Sequence, residues 1–201
     1  MNYLAIDTSS SQLLVTLNFN GKQYSRFNEN CNMQHSVLLN SELEELLNSA
    51  NATLDEIDFF ACNVGAGSFT GIRIGISTIK AFSFALGKKV LPITSFEVLA
   101  YNTDRIKTLA LIDAKNDNFY IAPFVNGVMG TPEFLHKDII LNKYSGYKMV
   151  SYEHIDGFNT EKVDILSGFI KAIEDNLDKV SEDREVLIPL YVRKSQAEEN
   201  L

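Results

Sequence analysis

Three groups of side chains in this chain are placed where chemistry is possible. The first is the run Gly65-Ala66-Gly67-Ser68-Phe69-Thr70-Gly71, which follows the apolar stretch Asp58 to Val64. A strand, a glycine-rich loop and a helix in that order leave free N–H groups at the helix N-terminus, where a phosphate can sit. The second is Asp7-Thr8-Ser9, a polar turn after Leu4-Ala5-Ile6. Such a turn either cradles phosphate through its amides or has its aspartate cap the turn itself. The third is the set of histidines, His35, His136 and His154, which are scattered along the chain. None makes an i, i+4 pair that would put two imidazoles on one helix face, so no metal site is expected. His35 fits a hydrogen-bonded structural or interface role.

Spacing narrows the first group. No Gly-Lys-Ser/Thr follows the glycines, so the loop is not a P-loop. It does not follow the first strand, and no acidic residue closes a second strand about twenty residues on, which argues against a dinucleotide site and a Rossmann-type dehydrogenase. Ser68 is not in a Gly-x-Ser-x-Gly elbow. Gly65 and Gly67 suit a sharp strand-to-helix turn, with Ser68 or Thr70 capping the helix.

The elements that would position these groups read as follows. Leu4 to Ile6 and Leu13 to Phe19 are strands, and Asn20-Gly21 is a hairpin turn leading to a third strand through Tyr24 and Phe27. A helix is expected over about 34–49, where Leu39, Leu43, Leu46 and Leu47 recur at helical steps. A buried strand covers 58–64. A second helix runs from about Thr70 to Leu86 and ends at Gly87. A strand over 89–93 and a short helix from Ser95 complete an α/β layer. The stretch from His136 to Phe158 reads as irregular. Val163 to Ser167 reads as a strand leading into a helix over Phe169 to Leu177.

Composition bounds the function. Apolar residues at 45 % and charged residues at 22 % are those of a globular protein. The net charge of −8 makes a direct grip on a phosphate backbone unfavourable, since that affinity comes from Lys and Arg displacing counterions. The start, Met1-Asn2-Tyr3-Leu4, has no basic or apolar leader, so a cytoplasmic location is expected. Cys31 and Cys62 are not expected to pair, Cys62 reading as a core residue.

Thr108 to Gly127 repeats the opening hairpin. A shift of 106 residues places Asp113 on Asp7, Asn126 on Asn20 and Gly127 on Gly21. A duplicated lobe that opens with such a hairpin resembles the actin-like fold. The expected division is 1–104 and 105–201, two lobes of which the second is abbreviated.

The run Gly65 to Gly75 resembles the Gly-Pro-Gly-Ser-Phe-Thr-Gly-x-Arg-x-Gly signature of the TsaB (YeaZ) family, with Ala66 where proline is usual. Leu4 to Ser9, Gln34-His35-Ser36 and the C-terminal stretch Leu190 to Glu198 are similar to further segments of that family. The resemblance implies an inactive relative of TsaD, the metal-dependent subunit that transfers threonylcarbamoyl to tRNA adenosine. It implies a heterodimer with TsaD, a homodimer in its absence, a link to the ATPase TsaE, and contact with tRNA only through partners. No cofactor is expected to bind tightly here, ATP and the metal ion being used elsewhere in the complex. In the catalytic relatives two histidines lie one helical turn apart, and Ser95 and Leu99 stand at the matching positions. An actin-like ATPase or transferase active on its own is the alternative.

The second helix carries Ile72, Ile74, Ile76, Ile79, Phe82, Phe84 and Leu86, more apolar positions than one packed stripe uses. Small residues lie between them. This predicts a partner surface made with the first helix, comprising His35, Leu39, Leu43, Phe69, Thr70, Ile72, Arg73, Ile76, Ile79 and Lys80, which Ile76→Asp would break. Full burial of the helix is the alternative. Asp7, Thr8 and Ser9 are candidates for a vestigial phosphate loop.

Overall fold

The alternation of the first residues sets up the first sheet. In the computed structural model, which describes residues 1–31, 34–101 and 106–193, β1 (Tyr3–Asp7) pairs antiparallel with β2 (Leu13–Phe19), Asp7 lying opposite Leu14. Asn20 and Gly21 take φ of 52° and 76° and turn the chain into β3 (Lys22–Asn28). Both residues are left-handed, as a tight two-residue hairpin requires. β3 is an edge strand that shows Lys22 and Arg26 to solvent, which discourages further pairing. Arg26 meets Glu42 and Glu45 of α1 (His35–Ala50).

β4 (Phe59–Gly65) lies parallel to β1, and all seven of its residues are buried, as expected of a strand covered on both faces. α2 (Phe69–Leu86) returns the chain to β5 (Lys89–Thr94), giving the order β3-β2-β1-β4-β5. Leu39, Leu43 and Leu46 of α1 join Ile72, Ile76 and Ile79 of α2 and the β1, β2 and β4 side chains in one core. Each such buried side chain contributes about 1.5–3 kcal/mol.

The second unit starts with α3 (Ser95–Ala100), then β6 (Lys107–Asp113) and β7 (Asn118–Val125). Its sheet runs β11 (Thr160–Lys162), β10 (Lys148–Ser151), β6, β7 and β8 (Val128–Met129), with β9 (Glu133–His136) also on β7. The duplication is visible in the backbone, since Asn126 and Gly127 have φ of 51° and 80° and turn β7 into β8 (Val128–Met129). The register differs, however. Asp113 lies opposite Phe119, so the β6–β7 turn is one residue tighter than the β1–β2 turn. A core of Leu109, Leu111, Phe119, Ile121, Ile140 and Phe158 lies on one face of this sheet.

Two sequence expectations need correction. The stretch 136–158 is not irregular but holds α4 (Lys137–Lys143) and β10 (Lys148–Ser151). Val163 to Ser167 is not a strand. The strand is β11 (Thr160–Lys162), and α5 (Ile165–Glu174) starts earlier than expected, its Gly168 lying against the Val98 carbonyl.

The chain divides into residues 1–94 with 172–189, and residues 95–171 with those from Leu190. The boundary expected at residue 104 lies outside the described residues, as does Lys194 to Glu198 of the C-terminal family segment. α3 goes with the second unit because it packs on β6, β7 and β10. Residues 172–189 rejoin the first because Ser181 exchanges backbone hydrogen bonds with Val90 of β5 and Leu187 enters the first core.

Candidate functional site

Both carboxylate oxygens of Asp7 are engaged by the chain itself. The Ser9 N–H and hydroxyl donate to Asp7 Oδ1 at 2.8 and 2.7 Å, and Asn63 Nδ2 donates to Oδ2 at 2.8 Å. Asn63 Oδ1 in turn accepts from the Gly65 N–H at 2.9 Å. Burial pushes the Asp7 carboxyl up from its ordinary range, against the opposing pull of the Ser9 and Asn63 donors and of His35. His35 is itself buried, and its Nε2–H donates to the Gln12 carbonyl at 3.0 Å.

The glycine-rich loop closes over this turn. The Ser68 N–H donates to the Ser9 carbonyl at 2.6 Å, and the Thr8 hydroxyl donates to the Gly71 carbonyl at 2.7 Å. Ser68 caps α2 by accepting from the Gly71 N–H at 3.2 Å. A Cβ on Gly67 would sit 2.1 Å from the Ser9 carbonyl oxygen, and one on Gly71 would sit 1.9 Å from that of Thr8. Gly75 faces the Thr8 hydroxyl at 2.7 Å in the same sense. The glycines of the signature are therefore spaced to let α2 lie directly on the Thr8–Ser9 backbone. Thr8 and Ser9 are buried beneath it, so a phosphate at this turn would have to displace the first turn of α2. The turn expected as a vestigial phosphate loop is filled by protein.

α2 has two unlike faces. Gly71, Ile72, Gly75, Ile76, Ile79 and Ser83 point into the first unit. On the opposite side Phe69, Thr70, Arg73, Ser77, Ala81, Phe84 and Ala85 are exposed, and Arg73 stacks on the Phe69 ring at 3.9 Å. Of the residues expected at a partner surface, Phe69, Thr70 and Arg73 are outside and Lys80 is half-buried. His35, Leu39, Leu43, Ile72, Ile76 and Ile79 are not, because they form the core between the helices and the sheet. Ile76→Asp would therefore damage folding before it touched any partner. Of the apolar positions counted on α2, the one that stands fully outside is Phe84, with Phe69 at the helix start. Phe84, which stood outside the expected set, is 80 % exposed. Helical phase could have found it, since it follows Phe69, Arg73, Ser77 and Ala81 at steps of four, four, four and three.

The second copy of the turn is built differently. Asp113 is exposed, and its carboxylate is held by the Lys115 N–H and the Lys115 ammonium, each at 2.7 Å. Partial burial would raise its carboxyl, but the Lys115 side-chain and main-chain donors outweigh that and hold it below the usual range. Lys115, Asn116 and Asp117 are all left-handed, with φ of 70°, 54° and 56°. Ser95 and Leu99, the two positions expected to match a histidine pair, are both buried.

Residues 28–130 match the model of the family described as TsaD: tRNA N6-adenosine threonylcarbamoyltransferase. Two curated relatives are named tRNA threonylcarbamoyladenosine biosynthesis protein TsaB. That of Buchnera aphidicola subsp. Schizaphis graminum is 29 % identical over 146 residues, covering 70 % of this chain and 69 % of the relative. That of Haemophilus influenzae is 27 % identical over 129 residues, covering 62 % of this chain and 54 % of the relative. The chain belongs to the TsaD family, in its TsaB (YeaZ) branch. The YeaZ structure from Pseudomonas aeruginosa shares this TsaB fold with a TM-score of 0.76 and 21 % identity, over 94 % of this chain and 99 % of that one. The TsaB fold is accordingly an actin-like α/β fold built from two related units. For the Haemophilus relative the matched segment is about half of its length.

Proposed function

We propose that this chain is a non-catalytic subunit in the synthesis of threonylcarbamoyladenosine on tRNA. It docks a TsaD-type transferase and supports transfer to adenosine 37 of ANN-decoding tRNAs in the cytoplasm. The observation that carries this reading is the outward face of α2. A helix that already buries one full apolar stripe has no need of a second face made of Phe, Ala, Ser and Thr with a single arginine. Small residues on that face allow a partner helix to approach closely, and Phe69 with Arg73 supplies an aromatic and cationic anchor of the type found at the centres of interfaces. The family model spans both α1 and α2, so a TsaD-type partner has a related helix pair to offer. A second copy of this chain offers the same face when the transferase is absent.

Two further features support a supporting role. The turn that would hold a phosphate is filled by α2. The charge of −8 disfavours a direct grip on tRNA, which supports contact through a partner. In this reading ATP and the metal ion act in TsaD and in the TsaE ATPase, and threonylcarbamoyl-AMP is delivered by TsaC.

The test is reconstitution of modification from TsaD, TsaE, tRNA, threonylcarbamoyl-AMP and ATP, with and without this chain. Modification that depends on the chain, with no turnover by the chain alone, is the expected result. Transfer or ATP hydrolysis by the chain alone would overturn it. Phe69→Asp combined with Arg73→Glu is expected to abolish co-elution with TsaD while leaving the melting temperature close to that of the wild type.

A further inference from the structure

The outward face of α2 ends in an arrangement that its own helix does not explain. Phe84 is 80 % exposed, and an aromatic ring left in water at a helix end gains nothing for the fold. Next to it, the buried Ser83 is bonded from several directions. Its carbonyl accepts from the Gly87 cap N–H, from the Lys88 N–H at 3.1 Å and from Arg184 Nη2 at 3.0 Å. Its hydroxyl donates to the Lys88 carbonyl and accepts from Arg184 Nε at 2.8 Å. Arg184 comes from the segment Ser181–Leu187, which is anchored by Ser181 on β5 and by Leu187 in the core. Lys89 with Glu182 and Lys80 with Glu185 pin the segment on either side of Arg184. The guanidinium, with no carboxylate partner among the described residues, lies 6.0 Å from the centroid of the Phe84 ring, at the limit of a cation–π contact.

We infer that Phe84 is an aromatic knob that seats in an apolar pocket of the TsaD-type partner, and that Arg184 is the positioning residue that holds it there. This rests on the docking role of α2 proposed above. Three facts join the pair to that role. Phe84 continues the row Phe69, Arg73, Ser77 and Ala81, so one partner surface covers all of it, along about 22 Å of helix. Arg184 fixes the last turn of α2 with a planar two-point grip on Ser83, which a lysine cannot reproduce. A side chain carried on a helix turn held in this way loses less freedom on docking than one on a fraying end, and that makes Phe84 an efficient anchor.

The experiment is a double-mutant cycle on the full chain. Phe84→Ala, Arg184→Ala, the double variant and Arg184→Lys are titrated against purified TsaD, and each is also melted. Phe84→Ala is expected to weaken binding roughly tenfold or more. Arg184→Ala and Arg184→Lys each weaken it several-fold while Phe84 is present, and Arg184→Ala adds nothing once Phe84 is alanine. Additive effects, full rescue by lysine, or a change in melting temperature without a change in affinity would each overturn the positioning role. Loss of binding in Phe69→Ala or Arg73→Ala with none in Phe84→Ala would overturn this inference and leave the docking role standing. If none of these variants weakens binding, the docking role falls as well.

Discussion

Asp7 and Asp113 head two copies of one hairpin turn, and the copies have gone separate ways. Asp7 is buried, accepts three hydrogen bonds from Ser9 and Asn63, and lies beneath the first turn of α2. Asp113 is exposed and answered by its own neighbour Lys115. The first turn is a joint between two strands, a loop and a helix. The second is a local closure that few other parts of the protein depend on. The difference shows that one hairpin turn can be closed in two ways, by packing a helix on it or by clamping its aspartate with a lysine.

The comparison is broken most severely at the glycines. Gly71→Ala drives a methyl group into the Thr8 carbonyl and is expected to cost roughly 3 kcal/mol in urea unfolding. Gly146→Ala, where a Cβ meets nothing within 4 Å, should fall within about 0.5 kcal/mol of the wild type. Equal losses in the two variants would mean that α2 does not rest on the Thr8–Ser9 backbone.

Next in size is Asp7→Ala, which strands the Ser9 and Asn63 donors in the interior at a cost of about 2 kcal/mol. Lys115→Ala is expected to cost less than about 0.5 kcal/mol, since its ion pair is in water. Equal destabilisation at both sites would erase the contrast.

The finest test is the pH dependence of stability, where the two aspartates have opposite signs. Burial raises Asp7 above its unfolded value of about 3.9, so the folded state holds the proton more tightly. Its contribution is complete below that unfolded value and is lost as pH rises through the raised folded value. For Asp113 the Lys115 donors overcome partial burial and lower the folded value, so its small contribution is present above the unfolded value and is lost as pH falls through the folded one. Asp7→Asn should remove a decline in the urea midpoint on going up from pH 4. Asp113→Asn should remove a slight decline on going down from it. Unchanged profiles in both variants would refute the assignment.

Much of this was legible in the chain because local chemistry decides it. The Asn-Gly turns, the wholly buried strand β4 and the Gly87 cap of α2 each follow from backbone preference or burial at a few neighbouring residues. The facing of α2 was not legible in the same way. Isoleucine or phenylalanine at 72, 74, 76, 79, 82 and 84 allows several phases, and only the close approach of Gly71 and Gly75 to Thr8 selects one. The small residues also divide, with Gly71 and Gly75 serving internal packing and Ser77, Ala81 and Ala85 lying outside. The elements α4 and β10 were missed because seven and four residues are too few to show a period. The link between Phe84 and Arg184 was not legible, because the two are distant in sequence and only the folded chain brings them together.

The return of residues 172–189 to the first unit bears on how the protein is made. A ribosome delivers the chain from its N-terminus, and domains ordinarily fold as they emerge. Here the strand bridge at Ser181 and the core residue Leu187 arrive only after the whole of 95–171 has been synthesised. During translation the edge of β5 and the last turn of α2 stay uncovered while the other unit emerges. The outward face of α2, which we propose docks a partner, is therefore completed only after residues 181–187 have been made.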